Sequence, residues 1–231
     1  MKYDIIGGAT FPMLRVYLDQ GEEVKAESGA MVAMTRDLKL FGKMDGGLLK
    51  SIARRFSGES FFLQQIKAET GAGWVMLATA APGEISPLQI KDGEELIVQK
   101  NGFFAGTTGI SVSTKVQGIG KGLFSGEGFF VVKISGKGTA FLSTYGAIYT
   151  IDLPKDEEVL IDNGHLVAWD SHMKYDIAKG ASSWTSSLTS GEGLACRFHG
   201  PGRVMIQTRN PAALGAWLFP FLPIPRPVSQ A

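Results

Sequence analysis

Apolar residues along this chain come in short runs that alternate with polar ones, and the runs recur in a fixed order. Val16 and Leu18, Leu88 and Ile90, and Ile151 and Leu153 take alternate positions just ahead of a pair of acidic residues. From there residues 21–34 read GEEVKAESGAMVAM, residues 93–106 read GEELIVQKNGFFAG and residues 156–169 read DEEVLIDNGHLVAW. Each is a β-type run, a small polar residue with glycine, and a second apolar run, the pattern of strand, turn and strand. A second marker follows in each: Ser57-Gly58-Glu59 ahead of Phe61-Phe62, Ser125-Gly126-Glu127 ahead of Phe129-Phe130, and Ser190-Gly191-Glu192 ahead of Leu194-Ala195. The third is a Gly-x-Gly opening an apolar run that ends on threonine: GAGWVMLAT from Gly71, GKGTAFLST from Gly136 and GPGRVMIQT from Gly200. Three markers in one order, three times, predict internal triplication. The repeats run at about 10–80, 81–145 and 146–209 within a single domain, 1–231, and residues 210–231 form a C-terminal arm outside them.

Within each repeat, Asn101-Gly102 and Asn163-Gly164 predict tight hairpins with positive φ, Ser28-Gly29 does so less ideally, and Gly29, Gly102 and Gly164 are expected at equivalent positions. The alternation in Phe61-Phe62-Leu63-Gln64-Gln65-Ile66 and in Phe129 to Ile134 predicts strands with one face buried. Gly-x-Gly predicts a bend before the last strand, for about four strands per repeat and twelve in all. One segment reads as helical: Leu48, Leu49, Ile52, Ala53 and Phe56 follow the i, i+3, i+4 spacing. The fold class is therefore all-β with one short helix.

Composition adds exclusions. With 23 Lys plus Arg against 22 Asp plus Glu the net charge is +1, so no global field favours nucleic acid, and none of the interleaved aromatic and basic stretches that bind it is present. A single cysteine, Cys196, rules out an intrachain disulfide and Cys-based zinc motifs. The N-terminus lacks a secretory apolar region, and no window reaches the ~18 uninterrupted apolar residues of a membrane span. A cytoplasmic protein, peripheral to the membrane at most, is the expectation.

Candidate chemistry is sparse. His165, His172 and His199 lack the His-x-His spacing of a β-helix metal site, and no Gly-x-Ser-x-Gly nucleophile turn occurs. Cys196, beside Leu194 and Phe198, reads as a buried structural thiol, and Gly118 to Gly122 as a glycine connector rather than a phosphate loop. No catalytic residue, cofactor or transition metal is expected. Glu59, Glu127 and Glu192 are repeated polar positions; each carboxylate capping its own turn outweighs a shared cation site. Lys50, Arg54 and Arg55 form a basic stripe on the predicted helix, suited to a partner or an anionic surface. In the arm, Trp217, Phe219, Phe221 and Leu222 belong to an apolar stretch too contiguous to leave bare, and they mark an interface. Ala212 to Leu218 can form a short helical turn, which Pro220, Pro223, Pro225 and Pro227 prevent from continuing and bias toward extended, polyproline-like structure.

Ser57-Gly58-Glu59-Ser60-Phe61-Phe62 after Gly-Gly-Leu-Leu, Ser125-Gly126-Glu127-Gly128, and Gly200-Pro201-Gly202 with Val204 and Gln207-Thr208 carry a resemblance. Over essentially its whole length the chain resembles bacterial and archaeal relatives of the mitochondrial biogenesis protein named for altered inheritance of mitochondria. The resemblance implies a fold like that of the tryptophan RNA-binding attenuation protein, a double-stranded β-helix-like sandwich triplicated about a pseudo-threefold axis. It brings no catalytic residues. The function expected is a non-enzymatic oligomeric β scaffold, a trimer first, for protein or membrane-surface interaction. The alternatives are a ligand-binding or enzymatic β barrel without a recognisable motif and, lower, nucleic-acid binding.

Overall fold

A computed structural model describes residues 1–8, 10–42, 63–99, 101–113, 131–178 and 195–222, which form nineteen strands in four sheets. After β1 (Lys2–Ile6) the strands fall into three sets of six. The first set is β2 (Met13–Leu18), β3 (Glu23–Glu27), β4 (Met31–Met34), β5 (Leu38–Gly42), β6 (Leu63–Ala68) and β7 (Gly73–Ala78). The second is β8 (Ile85–Ile90), β9 (Leu96–Gln99), β10 (Phe103–Thr107), β11 (Ile110–Ser113), β12 (Val131–Gly136) and β13 (Gly138–Ser143). The third is β14 (Ile148–Leu153), β15 (Glu158–Asp162), β16 (Leu166–Asp170), β17 (Lys174–Ala178), β18 (Ala195–His199) and β19 (Gly202–Gln207). Six strands replace the four expected, because the run before each acidic pair is a strand of its own and β5, β11 and β17 carry no repeated marker.

One pairing scheme recurs. In each set the first strand pairs with the sixth and the sixth with the third, while the fifth pairs with the fourth and the second, all antiparallel. Sets meet edge to edge where β3 pairs with β10 and β9 with β16, producing two six-stranded sheets. The outer halves remain as β1-β2-β7-β4 and β15-β18-β17, and among the described residues no sheet closes into a barrel. A register shift falls at Met31/Ala33, Phe103/Ala105 and Leu166/Ala168, so each third strand carries its bulge at the same place.

That register corrects the hairpin reading. Gly29, Asn101 and Gly164 are equivalent, not Gly29, Gly102 and Gly164. Positive φ occurs at Gly29 (87°) and at Asn101 (69°), a residue type whose short polar side chain tolerates the left-handed region. The third copy has a 3-10 turn over Asn163–His165 instead, closed by Gly164 N–H donating to Asp162 Oδ1 at 2.8 Å. The acidic pairs close turns too: Glu22 N–H donates to Asp19 O, Glu94 N–H to Lys91 O and Glu157 N–H to Pro154 O. In the first two copies the carboxylate returns a bond, Glu22 Oε2 accepting from Asp19 N and Glu94 Oε2 from Lys91 N, each at 3.0 Å. Pro154 has no N–H to reciprocate.

Each set contributes a buried cluster. The first is centred on Leu14, Val16, Ile66 and Leu77, the second on Leu96, Val98, Phe103 and Ile134, the third on Trp169, Phe198, Cys196 and Val204. The joints share them: Ala105 of β10 lies in the first cluster and Ile97 of β9 in the third. The predicted helix at Leu48 to Phe56 lies outside the described residues. The α-helix seen among them is α1 (Pro211–Leu218), followed by a 3-10 turn over Phe219–Phe221.

Candidate functional site

A polar contact common to the three sets sits where the third strand ends and the sixth begins. The side chains of Thr35, Thr107 and Asp170 hold equivalent positions and accept the backbone N–H of Trp74, Thr139 and Arg203, at 3.1, 3.2 and 2.8 Å. Each donor follows the second glycine of a Gly-x-Gly. At Gly73 and Gly138 an added Cβ would strike the threonine hydroxyl, and at Gly202 it would strike Met173, so the approach itself selects glycine. This lock explains the marker and was missed in the sequence. Its only signal was a polar residue directly after each third-strand run.

In the third set the lock is charged. Asp170 is buried, and its Oδ1 accepts from Arg203 Nη2 at 2.8 Å while the same nitrogen reaches Glu94 Oε1 at 2.6 Å across the β9·β16 joint. The two carboxylates raise the Arg203 pKa, so its charge is constant. Next to it Lys133 Nζ donates to Glu95 Oε1 at 2.8 Å, and that contact holds the Glu95 carboxyl below its usual range. The cluster is a salt-bridged tie between sets, with no free nucleophile.

The three histidines are separate. His165 Nδ1 meets Gln207 O at 2.8 Å, His172 Nε2 meets Pro201 O at 3.2 Å, and His199 lies between Glu158 and Asp176 on the exposed third-set sheet. Among the described residues no group of three or more His, Cys, Asp or Glu is placed to hold a metal ion. Cys196 is fully buried beside Phe198, and burial pushes its pKa up to about 11. Glu59, Glu127 and Glu192, like Lys50, Arg54 and Arg55, lie outside the described residues.

The predicted interface residues stand out by exposure. Gln207 Oε1 accepts Tyr145 N–H at 2.8 Å and its Nε2 donates to Gly164 O, Thr208 Oγ1 accepts Ala147 N–H at 3.0 Å, and Arg209 N–H donates to Tyr145 O. From this anchored base Asn210 caps α1, its Oδ1 accepting from Ala212 N and Ala213 N, with Pro211 at the first helical position and two alanines behind it. Asn210 also fills the space beside Gly164 that a Cβ would occupy. Beyond the cap every residue from Pro211 to Leu222 is exposed, with Trp217 at 64%, Phe219 at 75%, Phe221 at 71% and Leu222 at 58%. Trp217 and Phe221 touch each other, ring centroids 5.4 Å apart. No helix among the described residues is long and apolar enough to cross a membrane.

Residues 3–209 match the family model described as mitochondrial biogenesis AIM24. The chain belongs to the AIM24 family. An uncharacterized protein of Streptococcus pyogenes serotype M6 is 34% identical over 233 residues, covering 96% of this chain and 92% of that protein. The X-ray crystal structure of a Streptococcus pyogenes protein superposes with a TM-score of 0.78 at 29% identity, covering 96% of this chain and 99% of the other. The AIM24 match ends at residue 209, where the anchored base gives way to the exposed arm.

Proposed function

We propose that the protein is a non-enzymatic β scaffold that self-associates, with the C-terminal arm as one of its contact surfaces. The observation that carries this reading is α1 with its following turn, which is apolar on all sides and exposed on all sides. A helix without a polar face is stable only where something covers it. The base of the arm is tied to the body by three consecutive residues, Gln207, Thr208 and Arg209, so the arm is presented in one direction rather than left as a tail. The recurring pairing scheme and its two equivalent joints support a triplicated arrangement in which each set offers a strand edge to the next.

A second reading, contact of the arm with a lipid surface, rests on one feature: residues 211–225 contain no charged side chain, while Trp217 stands there among three leucines and two phenylalanines. Replacing Trp217 and Phe221 by serine tests the first reading, since both side chains are exposed and the fold keeps its core. Light scattering should show the assembly falling to a smaller mass. An unchanged mass, with loss of binding to anionic vesicles instead, moves the arm to the second reading.

A further inference from the structure

Among the described residues, two strand edges lack the partner that their equivalents have. In both existing joints the second strand of one set pairs with the third strand of the next: Ala26↔Ala105, Lys25↔Gly106 and Val24↔Thr107 in one, Val98↔Ala168, Ile97↔Trp169 and Leu96↔Asp170 in the other. The bulge positions make Ala33, Ala105 and Ala168 equivalent, so the strands left over are β4 of the first set and β15 of the third. No hydrogen-bonded ladder joins them among the described residues. Their side chains record the difference. Val32 is 54% exposed where Phe104 and Val167 are 0% and 2%, and Leu160 is 42% exposed where Ile97 is 5%.

We infer that β15 of one copy adds to β4 of a second copy, antiparallel, in the register Ile161↔Ala33, Leu160↔Met34 and Val159↔Thr35. This deepens the self-association reading and rests on it. The partner is a second copy and not the chain's own edge, because closure within one chain would bury Val32 as the two existing joints bury Phe104 and Val167, and Leu160 as the β9·β16 joint buries Ile97. Nor does any buried cluster span the ends: the first holds no residue after Phe141 and the third none before Ile97. Pairing would complete a sheet in the order β17-β18-β15-β4-β7-β2-β1. It would place Leu160 against the first cluster of the next copy, as Ile97 of the second set sits in the cluster of the third. β4 reads MVAM, without the proline, lysine or other charge that protects a free edge. One edge of each kind per chain makes the contact heterologous, so it propagates head to tail and ends when a ring closes.

The full-length variants Met34→Cys and Leu160→Cys, purified separately and mixed under mild oxidation, test the pairing. Neither side chain is fully buried, and Cys196 is. Opposed positions fall within disulfide reach, so the mixture should give about ten-fold more linked heterodimer than Met34→Cys mixed with Lys174→Cys, a variant on the far strand of the same sheet. No excess heterodimer, links formed equally by Met34→Cys alone, or an intrachain link in the doubly substituted protein would overturn the inference. Light scattering on the unsubstituted protein separates the two levels. A multimer without the link removes the edge pairing and leaves self-association, whereas a single-chain mass removes both.

Discussion

The joint between the first and second sets and the joint between the second and third use one backbone plan with different side chains. At β3·β10 the locking residue is Thr107, a neutral hydroxyl that accepts Thr139 N–H and in turn receives no charge. At β9·β16 it is Asp170, which makes the same backbone bond and then requires the guanidinium of Arg203, shared with Glu94. The lesson is that the fold demands an acceptor at this position and not an ion. Once a carboxylate supplies it in a buried place, a cation must follow. The third set also buries a titratable thiol, Cys196, where the buried residues of the first and second clusters are aliphatic residues, phenylalanine and one methionine.

The largest expected effect breaks the charged joint. Arg203→Ala leaves Asp170 and Glu94 facing each other without a counter-ion, and urea unfolding should show a loss of about 3 kcal/mol. An effect no larger than that of an exposed arginine would mean the tie is idle. Alkaline pH should weaken the third set next. Burial raises Cys196 from 9.0 to about 11 and Tyr175 from 10.0 to about 12, so the stability they hold is complete below pH 9 and declines as pH climbs through 11 and 12. The cysteine alone accounts for about 2 kcal/mol of that decline, and Cys196→Val should flatten the lower part of the profile. Thr107→Val removes the neutral acceptor from Thr139 N–H and should cost about 1 kcal/mol, less than the charged case. The smallest effect is the most instructive. Asp170→Thr with Arg203→Thr rewrites the second joint in the chemistry of the first, and the pair should stay within about 1 kcal/mol of the natural protein although Arg203→Ala alone does not.

Most of the strand framework was legible because its punctuation is local. The acidic pairs, the polar-glycine turns and Gly-x-Gly each close a turn or admit a close approach within a few residues, so they leave a trace in every copy. The short helix of the arm was legible too, since Ala212 to Leu218 is an apolar run that the following prolines stop. What escaped depends on contacts distant in the chain. Asn101 rather than Gly102 takes the positive φ, at the place of Gly29, and an Asn-Gly pair does not say which of its two residues will do so. Thr35, Thr107 and Asp170 look like ordinary strand ends until Trp74, Thr139 and Arg203 are brought beside them. β5, β11 and β17 share no run of residues across the three copies, so nothing in the repeat marks them.

Self-association is the claim on which the functional reading stands, and the mass of the unmodified protein in solution tests it most directly. Light scattering across a range of concentrations should return a multiple of the 24.8 kDa chain, stable on dilution into the micromolar range. A species of one chain at every concentration would contradict the account.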